Sequence, residues 1–320
     1  MMISCGVLLI IVDIRLEGEF MKTKRLIGHI LILVGICIPL QAFTQISIRD
    51  MSSAMEYRKY QEVYSNESSD KSKSGESSAS SNSETVKKGF DNYNKSVVDG
   101  TGLVDPFVSD DYKSDYQIKD WKPDQVFGYL IMPSIDVKLP IRLDATYDHL
   151  DKGVAHVYGT SLPTGGKDRR SVIAGHRGWY RGIMLLNLGK VKPGDKVFID
   201  RNGNLMTYVV KNIEIISPSE WEKLKPVEGK DMLTILSCHP IRPPSPYRML
   251  VNCERLEDPV KEKTSVSKSD LKAIDAKLDT QEKRAVKVKY LFYLATLVGW
   301  ILLIYRVWKI VKEFRNSKKC

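Results

Sequence analysis

The sequence predicts an all-β domain, either a barrel or a sandwich, carried between two apolar helices. From Val126 onward, short stretches rich in β-branched and aromatic residues follow one another, separated by Gly, Pro and Asn. This spacing is typical of antiparallel barrels and sandwiches. Apolar runs near both chain ends are the second observation, and a Ser-rich stretch ahead of the strands is the third.

The strand-like stretches place the β-domain at residues 126–258. They read GYLIMPSI, VKLPI, SVIAGH, DKVFID, LMTYVV, IEII, MLTILSC and RMLVNCERL. Asn202-Gly203 separates DKVFID from LMTYVV, and an Asn-Gly pair between two strands is a strong signal for a tight hairpin turn.

Two apolar runs are candidates for membrane anchors. Residues 26–43 (LIGHILILVGICIPLQAF) follow Lys22, Lys24 and Arg25, and residues 290–305 (YLFYLATLVGWILLIY) carry no charge. The second run, with its flanks, approaches the ~20 residues that cross a bilayer as a helix. The first run is a signal peptide or an anchor, and we favour an uncleaved anchor because no A-x-A type cleavage signal follows it.

Basic residues flank the outer end of each apolar run. The tail carries Arg306, Lys309, Lys312, Arg315, Lys318 and Lys319. By the positive-inside rule, both termini are expected in the cytoplasm and residues 44–288 outside the cell membrane. The formal net charge of +10 is therefore interpreted as membrane-flanking charge, and no nucleic-acid partner is expected.

Composition sets the remaining boundaries. Residues 1–20 fit neither an anchor nor a domain, and Met21 is a better start, so we interpret them as a mis-called start. The expected segments are that start (1–20), the first anchor (21–43), a helix (44–64), a flexible Ser-rich linker (65–83), a mixed segment (84–125), the β-domain (126–258), a charged connector (259–288), the second anchor (289–308) and the basic tail (309–320).

Three side chains of the β-domain have the chemistry of nucleophilic acyl transfer. Cys238 ends the stretch MLTILSC, His176 ends SVIAGH, and Arg248 begins RMLVNC. Residues at strand ends can meet at one rim of a sheet, and the proline after His239 favours a strand end at Cys238. In such chemistry a thiolate attacks a carbonyl, a histidine carries the proton of the leaving amine, and a cation steadies the oxyanion.

Other interpretations of these residues stay open on spacing alone. Cys238 could be a buried inert thiol, as free cysteines often are. His149, His156 and His239 are alternative histidines, for which a structural or solvated role is favoured. The sequence contains no paired-cysteine pattern, metal-ligand spacing or glycine-rich phosphate loop, so neither a metal nor a cofactor is expected.

Phe127–Leu256 resembles the sortases, and in particular the class C sortases that polymerise pilins. The matching stretches are GYLIMPSIDVKLPI, GVAHVYGTSLPTGG, SVIAGHRGWYRGIMLLNLGKVKPGD, TILSCHP and YRMLV, and the order His, Cys, Arg is the family order. The resemblance implies a sortase-like closed β-barrel with short helices. It also implies that Cys238 is the nucleophile, that His176 is general acid and base, and that Arg248 positions the substrate and steadies the oxyanion.

Upstream, Asp105-Pro106-Phe107 resembles the lid motif of class C sortases. Taken alone, Asp-Pro is only a turn signal. The resemblance implies that residues 84–125 form an N-terminal helical lid region, with Asp105 near the catalytic cation and the aromatic ring of Phe107 over Cys238.

The sequence departs from the family pattern around the candidate nucleophile. Ser237 precedes it and His239 follows it where relatives usually have Thr, and residues 241–246 (IRPPSP) are rich in proline. Substrate specificity is the property these departures affect. Residues 162–166 (LPTGG) differ from a sorting signal in spacing and position, and we interpret them as a structural loop.

The resemblance implies a cysteine transpeptidase of a Gram-positive-type cell membrane, acting without a cofactor. Its partners would be pilin subunits with LPxTG-like sorting signals, cleaved between Thr and Gly, and the acceptor lysine of the next pilin. Two alternatives remain: a sortase that anchors proteins to a peptidoglycan amine, and a catalytically silent, membrane-tethered binding module for pilus assembly.

Overall fold

A computed structural model describes residues 20–70, 79–97, 103–107, 112, 114–122, 124–177, 184–256 and 280–317. The chain forms two compact units, one of Met1–Gln45 with Leu291–Cys320 and one of Ile46–Tyr290. The proposed mis-called start lies outside the described residues except at its last position. Residues 259–279 of the connector and the last two residues of the predicted β-domain, 257 and 258, also lie outside them.

Eight strands close into a barrel. They are β1 (Val126–Met132), β2 (Val137–Leu143), β3 (Val154–His156), β4 (Arg169–Gly175), β5 (Lys196–Arg201), β6 (Asn204–Ile216), β7 (Asp231–His239) and β8 (Tyr247–Arg255). Around the barrel the order is β1-β2-β3-β4-β7-β8-β6-β5, and β5 pairs with β1 to complete it. The closed barrel implied by the resemblance is confirmed, and the sandwich is excluded.

Most strand predictions are confirmed, with two corrections. The stretches LMTYVV and IEII form one strand, β6, whose pairing with β8 shifts register at Lys211. Strand β3 was not predicted, because three residues are too few to show a period-two pattern. The predicted hairpin is confirmed: Asn202 and Gly203 join β5 to β6 with φ values of 52° and 79°, the left-handed geometry such turns require.

Several strands of the barrel carry buried apolar side chains on both faces, which form two separate clusters. Leu130, Ile173, Leu233 and Val251 are fully buried in the interior cluster. A second cluster, which includes Leu150 and Leu236, packs on the other side of the same strands. This rigid frame fixes the positions of the residues at strand ends, where the candidate site lies.

In the part of the chain that the structure describes, four α-helices accompany the barrel: α1 (Phe20–Asp70), α2 (Ala79–Ser96), α3 (Tyr147–Lys152) and α4 (Thr280–Ser317). The predicted helix at 44–64 therefore belongs to a longer one. The Ser-rich segment predicted as a flexible linker is helical at both ends, since α1 continues through residue 70 and α2 begins at residue 79. Its residues 71–78 lie outside the part of the chain that the structure describes.

The segments ahead of the strands pack on the barrel through aromatic side chains. In α1, the buried Tyr57 hydroxyl donates a hydrogen bond to Asp200 Oδ2 at 3.0 Å. In α2, Phe90 packs edge-on against Trp121 and Phe127, at centroid distances of 5.2 and 5.3 Å. These contacts hold the region that precedes the lid motif against the barrel wall.

Among the described residues, two helices are long and apolar enough to cross a membrane. The candidate spans are Ile27–Val63 and Tyr293–Lys312, which contain 18-residue windows with mean hydropathies of 2.0 and 1.7, respectively. Within the unit formed by Met1–Gln45 and Leu291–Cys320, the Trp300 indole donates a hydrogen bond to Thr44 Oγ1 at 2.8 Å. A sortase-like barrel thus lies in the chain between two candidate anchors.

Candidate functional site

Cys238 and Arg248 lie opposite each other on neighbouring strands. They are direct partners in the antiparallel β7–β8 register, so their side chains project to the same face of the sheet. Cys238 is half-buried and forms no disulfide, whereas Arg248 is only 3% exposed. The β7–β8 register therefore brings a thiol and a guanidinium together at one rim.

His176 follows the end of β4 at the same level. The parallel strands β4 and β7 pair Ala174 with Leu236, so His176 and Cys238 each lie two residues beyond that pair. Between them, the buried Ser237 hydroxyl donates to the carbonyl of Gly175 at 2.7 Å. The structure thus brings the predicted histidine, cysteine and arginine to one rim.

Gly175 is required immediately before His176. A Cβ at this position would lie 2.7 Å from Leu185 and 2.8 Å from Val154, both fully buried. The amide of Leu185 also donates to the His176 carbonyl at 3.2 Å. Close packing therefore fixes the backbone from which the imidazole projects.

The Arg248 guanidinium is held by acceptors from two segments. Its Nε donates to Asp105 Oδ2 at 2.9 Å, and its Nη2 lies 2.8 Å from the same oxygen. Its Nη1 donates to the carbonyls of Ser245 and Tyr247 at 3.0 and 2.9 Å. Both partners of the ion pair are buried, so the guanidinium and the carboxylate compensate each other away from water.

Asp105 and Phe107 form a compact turn over the rim. The amide of Phe107 donates to Asp105 Oδ1 at 2.9 Å, and the Tyr147 hydroxyl donates to the Phe107 carbonyl at 3.2 Å. The Phe107 ring centroid lies 5.3 Å from the Arg248 guanidinium carbon and 5.9 Å from the His176 ring centroid. Asp105 thus lies beside the expected cation, Arg248. The Phe107 ring contacts Arg248 and His176, and its position over Cys238 stays a prediction.

The surroundings of the Cys238 thiol disfavour its ionisation. Burial raises its pKa, the Asp105 carboxylate raises it further, and the Arg248 guanidinium opposes both. The net direction is upward, so the resting residue is a neutral thiol at neutral pH.

Sequence reasoning missed two neighbours of His176. Asp151 Oδ1 lies 3.7 Å from His176 Nε2, and the Tyr147 ring stacks on the imidazole at a centroid distance of 6.1 Å. Both residues belong to α3, 25 or more positions before His176, so no local pattern connects them. A carboxylate at this distance stabilises the protonated imidazole.

The departures from the family pattern have defined surroundings. His239 Nδ1 lies 3.2 Å from Arg177 Nη1, so a donating arginine fixes the imidazole tautomer. Ser245 donates to the carbonyl of Pro240 at 2.7 Å within the proline-rich connection. Ile241 and Tyr247, at the two ends of this connection, are exposed beside the rim.

The remaining histidines are held in structural networks. His156 is fully buried, and Tyr116, Thr160 and the carbonyl of Ser161 contact its ring nitrogens at 2.7, 3.0 and 2.8 Å. Burial lowers the pKa of His156 to about 4, so it is neutral at physiological pH. His149 binds the carbonyl of Asp144 at 2.8 Å.

One group of side chains in the described residues has metal-ligand geometry. Ligand atoms of Asp124, Asp148 and His149 lie within 4.8 Å of one another. The Lys152 ammonium, however, lies 3.1 Å from Asp124 and 2.6 Å from Asp148. The lysine thus occupies the position of a cation, and the group is an ion-pair cluster.

A rim with a thiol, an imidazole and a buried guanidinium can support acyl transfer through the thiol. The family model for the sortase domain matches residues 130–256. Sortase C-3 from Streptococcus pneumoniae is 40% identical, with a TM-score of 0.52, and the match covers 55% of this chain and 84% of that one. The chain belongs to the sortase family.

Two further relatives extend this comparison. The pilus-related sortase C of Group B Streptococcus is 30% identical, with a TM-score of 0.51, over 55% of this chain and 90% of that one. Sortase A of Bacillus anthracis is 29% identical over 114 residues, which are 36% of this chain and 52% of that protein. The chain thus spans about half the length of that curated relative.

Proposed function

We propose that this protein is a class C sortase, a cysteine transpeptidase that joins pilin subunits. The observation that carries the proposal is the buried Asp105–Arg248 ion pair, which sets a lid motif over a rim that also presents Cys238 and His176. The similarity to sortase C-3 and to a pilus-related sortase C supports the class.

In the first step, the Cys238 thiolate attacks the carbonyl carbon of the threonine in an LPxTG-like sorting signal. The Thr–Gly carbon–nitrogen bond breaks, and the imidazolium of His176 gives its proton to the departing glycine amine. Arg248 faces Cys238 and carries the charge that can steady the oxyanion. The product is a thioester between Cys238 and the pilin.

In the second step, a lysine amine of the next pilin attacks the thioester. The amine has already lost one proton to solvent, and His176 accepts a second as the carbon–sulfur bond breaks. An isopeptide bond forms, and Cys238 leaves as the thiolate. Asp151 lies 3.7 Å from His176 Nε2 and stabilises the imidazolium that this step regenerates.

For the site to open, Asp105 and Phe107 must leave the rim. Arg248 bonds to the Asp105 carboxylate, and its charge would be shared with a substrate oxyanion only after that bond is broken. Departure of Asp105 also removes a cause of the raised Cys238 pKa, so opening favours the reactive thiolate.

The two candidate spans support a two-pass membrane protein with the barrel outside the cell and both termini in the cytoplasm. In this topology a secreted, membrane-retained pilin and the catalytic rim share one side of the membrane.

A thiol-reactive peptide carrying an LPxTG-type sequence tests the proposal. If the protein is an enzyme, the LPxTG-type peptide labels Cys238 more than a scrambled peptide does. Mass spectrometry identifies the labelled residue. The chain with Cys253→Ala is the matched control, since it retains Cys238. Absence of sequence-dependent labelling would favour the silent binding module. A thioester resolved by peptidoglycan amines, and not by pilin lysines, would favour the wall-anchoring alternative.

A further inference from the structure

A cavity of about 310 Å³ lies between α1 and the barrel on the α3 side of His176. Its charged lining consists of Arg49, Asp50 and Glu56 from α1, Arg142 from β2, and Asp151 and Lys152 from α3. The lining thus contains both cations and carboxylates. A ligand that matches it carries both signs of charge.

Arg142 is the unsatisfied member of this lining. Its Nε and Nη1 atoms are buried, and neither has a hydrogen-bond partner among the described residues. By contrast, Lys152 is bound by Asp124 and Asp148. Buried N–H groups without acceptors are costly, and a carboxylate is the group that compensates those of a guanidinium best. The Nε and Nη1 groups of Arg142 would therefore favour a ligand that presents an anionic acceptor.

Asp151 connects the cavity to the catalytic rim. It lines the cavity and also lies 3.7 Å from His176 Nε2. In the barrel order β2-β3-β4-β7-β8, strand β4 lies between β2 and the β7–β8 pair. His176 follows β4 and therefore lies between these two parts of the rim. Cys238, Arg248 and the lid residue Asp105 lie on the β7–β8 side, whereas the cavity lies on the β2 side.

We propose that this cavity is the acceptor site, and that it selects a lysine with a carboxylate nearby on the same segment. The lysine ammonium is received at Asp151, loses one proton to solvent, and then gives a second to the adjacent His176 imidazole as it attacks the thioester. The acceptor's carboxylate pairs with Arg142. The inference rests on the proposed transpeptidase function, because an acceptor amine is needed only to resolve a thioester at Cys238.

The site binds the acceptor segment apart from the sorting signal, on the other side of His176. A carboxylate next to the lysine adds a charge-assisted hydrogen bond that a glutamine cannot supply with equal strength. Discrimination between these two acceptors therefore reports on Arg142 and is independent of how the sorting signal is recognised.

The test uses the full-length chain in detergent, with Cys238→Ala to prevent turnover. The probes are capped peptides that contain one lysine and one glutamate, one to three residues apart, each paired with the same peptide carrying glutamine. Calorimetry measures the dissociation constants. At the spacing that fits, the glutamate peptide is expected to bind about tenfold more tightly than its glutamine partner.

Arg142→Met is expected to remove this difference, and Arg142→Lys to restore part of it. Lys138→Met is the matched control, because Lys138 lies four residues earlier on the same face of β2 but stacks over the Tyr57 ring at 5.8 Å, outside the cavity. It should retain the full preference. Equal binding of every glutamate and glutamine pair, or a preference that survives Arg142→Met, would overturn the proposal.

The peptide pairs themselves need no substitution at Arg142, so a folding defect of that variant leaves the first comparison decisive. Failure of the proposed function is seen separately, as absent labelling of Cys238 by the sorting-signal probe in the unsubstituted chain. If labelling occurs, the same peptides serve as acceptors. The glutamate peptide should then show the lower KM, with an unchanged rate of Cys238 acylation.

Discussion

Arg248 faces Cys238 across the β7–β8 pair and is bound at the same time by Asp105. One guanidinium is therefore shared between the thiol and the lid carboxylate. While Asp105 remains in place, its negative charge offsets the cation and adds to the effect of burial on the thiol. The Asp105 carboxylate is thus one of the groups that raise the pKa of the Cys238 thiol, after burial.

Replacing Cys238 with Ala should abolish polymer formation while the protein stays folded. The thiol supplies the attacking atom, whereas its loss from a strand end should cost only ~1–2 kcal/mol of stability. Pilin ladders on denaturing gels and a thermal melt are the two measurements. Cys253→Ala is the control, because Cys253 is fully buried in the barrel interior and burial raises its pKa strongly. Equal loss of activity in both variants would show that the wrong cysteine has been assigned.

His176→Ala and Arg248→Ala should each reduce transpeptidation severely, but with different effects on stability. Arg248→Ala leaves the Asp105 carboxylate buried without its partner, a defect that typically costs about 3–5 kcal/mol. Combining Arg248→Ala with Asp105→Ala should recover part of the stability and none of the activity. Recovery of activity in the combined variant would exclude a catalytic role for Arg248.

Asp105→Ala together with Phe107→Ala should expose Cys238 to small alkylating reagents. The double change removes the buried ion pair with Arg248 and the ring that contacts Arg248 and His176. If the closed state is favoured by a few kcal/mol, alkylation should accelerate by about tenfold or more. Alkylation of Cys238 at an unchanged rate would refute the lid assignment and leave the other site residues unaffected.

The pH profile of alkylation should reveal the charge of Asp105. In the unsubstituted chain the Cys238 pKa is raised, so the rate should reach its midpoint at a higher pH than that of a free cysteine. Asp105→Ala removes one cause of the increase and should move the midpoint to lower pH. Asp195→Ala is a control that should leave the midpoint unchanged, because the Asp195 carboxylate accepts from the Lys192 amide and is not among the groups that shift the Cys238 pKa.

His156 should make the fold sensitive to acid. Its pKa is about 4 when folded, against 6.5 for an ordinary histidine, so between these values the unfolded chain binds a proton that the folded chain does not. Stability is therefore complete above about pH 6.5 and falls as the pH decreases towards 4, by up to ~3 kcal/mol from this group. Denaturant unfolding of the unsubstituted chain and of His156→Gln should show a flatter pH dependence in the variant.

The two-anchor topology predicts a specific protease pattern. On cells without a wall, added protease should leave both chain ends protected and should reach sites within residues 44–288. A tag placed after residue 320 should be detected only after the membrane is permeabilised. Detection of that tag on intact protoplasts would contradict the topology.

Strand positions could be predicted from local pattern because most strands exceed five residues and are bounded by turn residues. Asn202-Gly203 specified a hairpin, and the structure has one there. Two features were not predicted: the three-residue strand β3, and the continuity of β6 through the irregular pairing at Lys211. In both cases the pairing partner, which sequence pattern does not reveal, defines the strand.

The candidate site was predictable only in part. Cys238, His176 and Arg248 could be selected because each lies at a strand end, and the family resemblance added Asp105 and Phe107. Asp151, the neighbour of His176, carried no sequence signal. The sequence likewise gives no sign that Arg142 Nε and Nη1 are buried without an acceptor, because the alternation of β2 is ordinary.

The sequence by itself determined the two apolar segments, the β-rich domain and the chemical types at its strand ends, because those depend on local composition and periodicity. Only the tertiary structure decided that β4, β7 and β8 are neighbours, that Asp105 pairs with Arg248, and that Asp151 joins a charged cavity to His176. These contacts join residues far apart in the chain. Barrel closure and burial of opposite charges set them, and neither leaves a pattern within a short stretch of sequence.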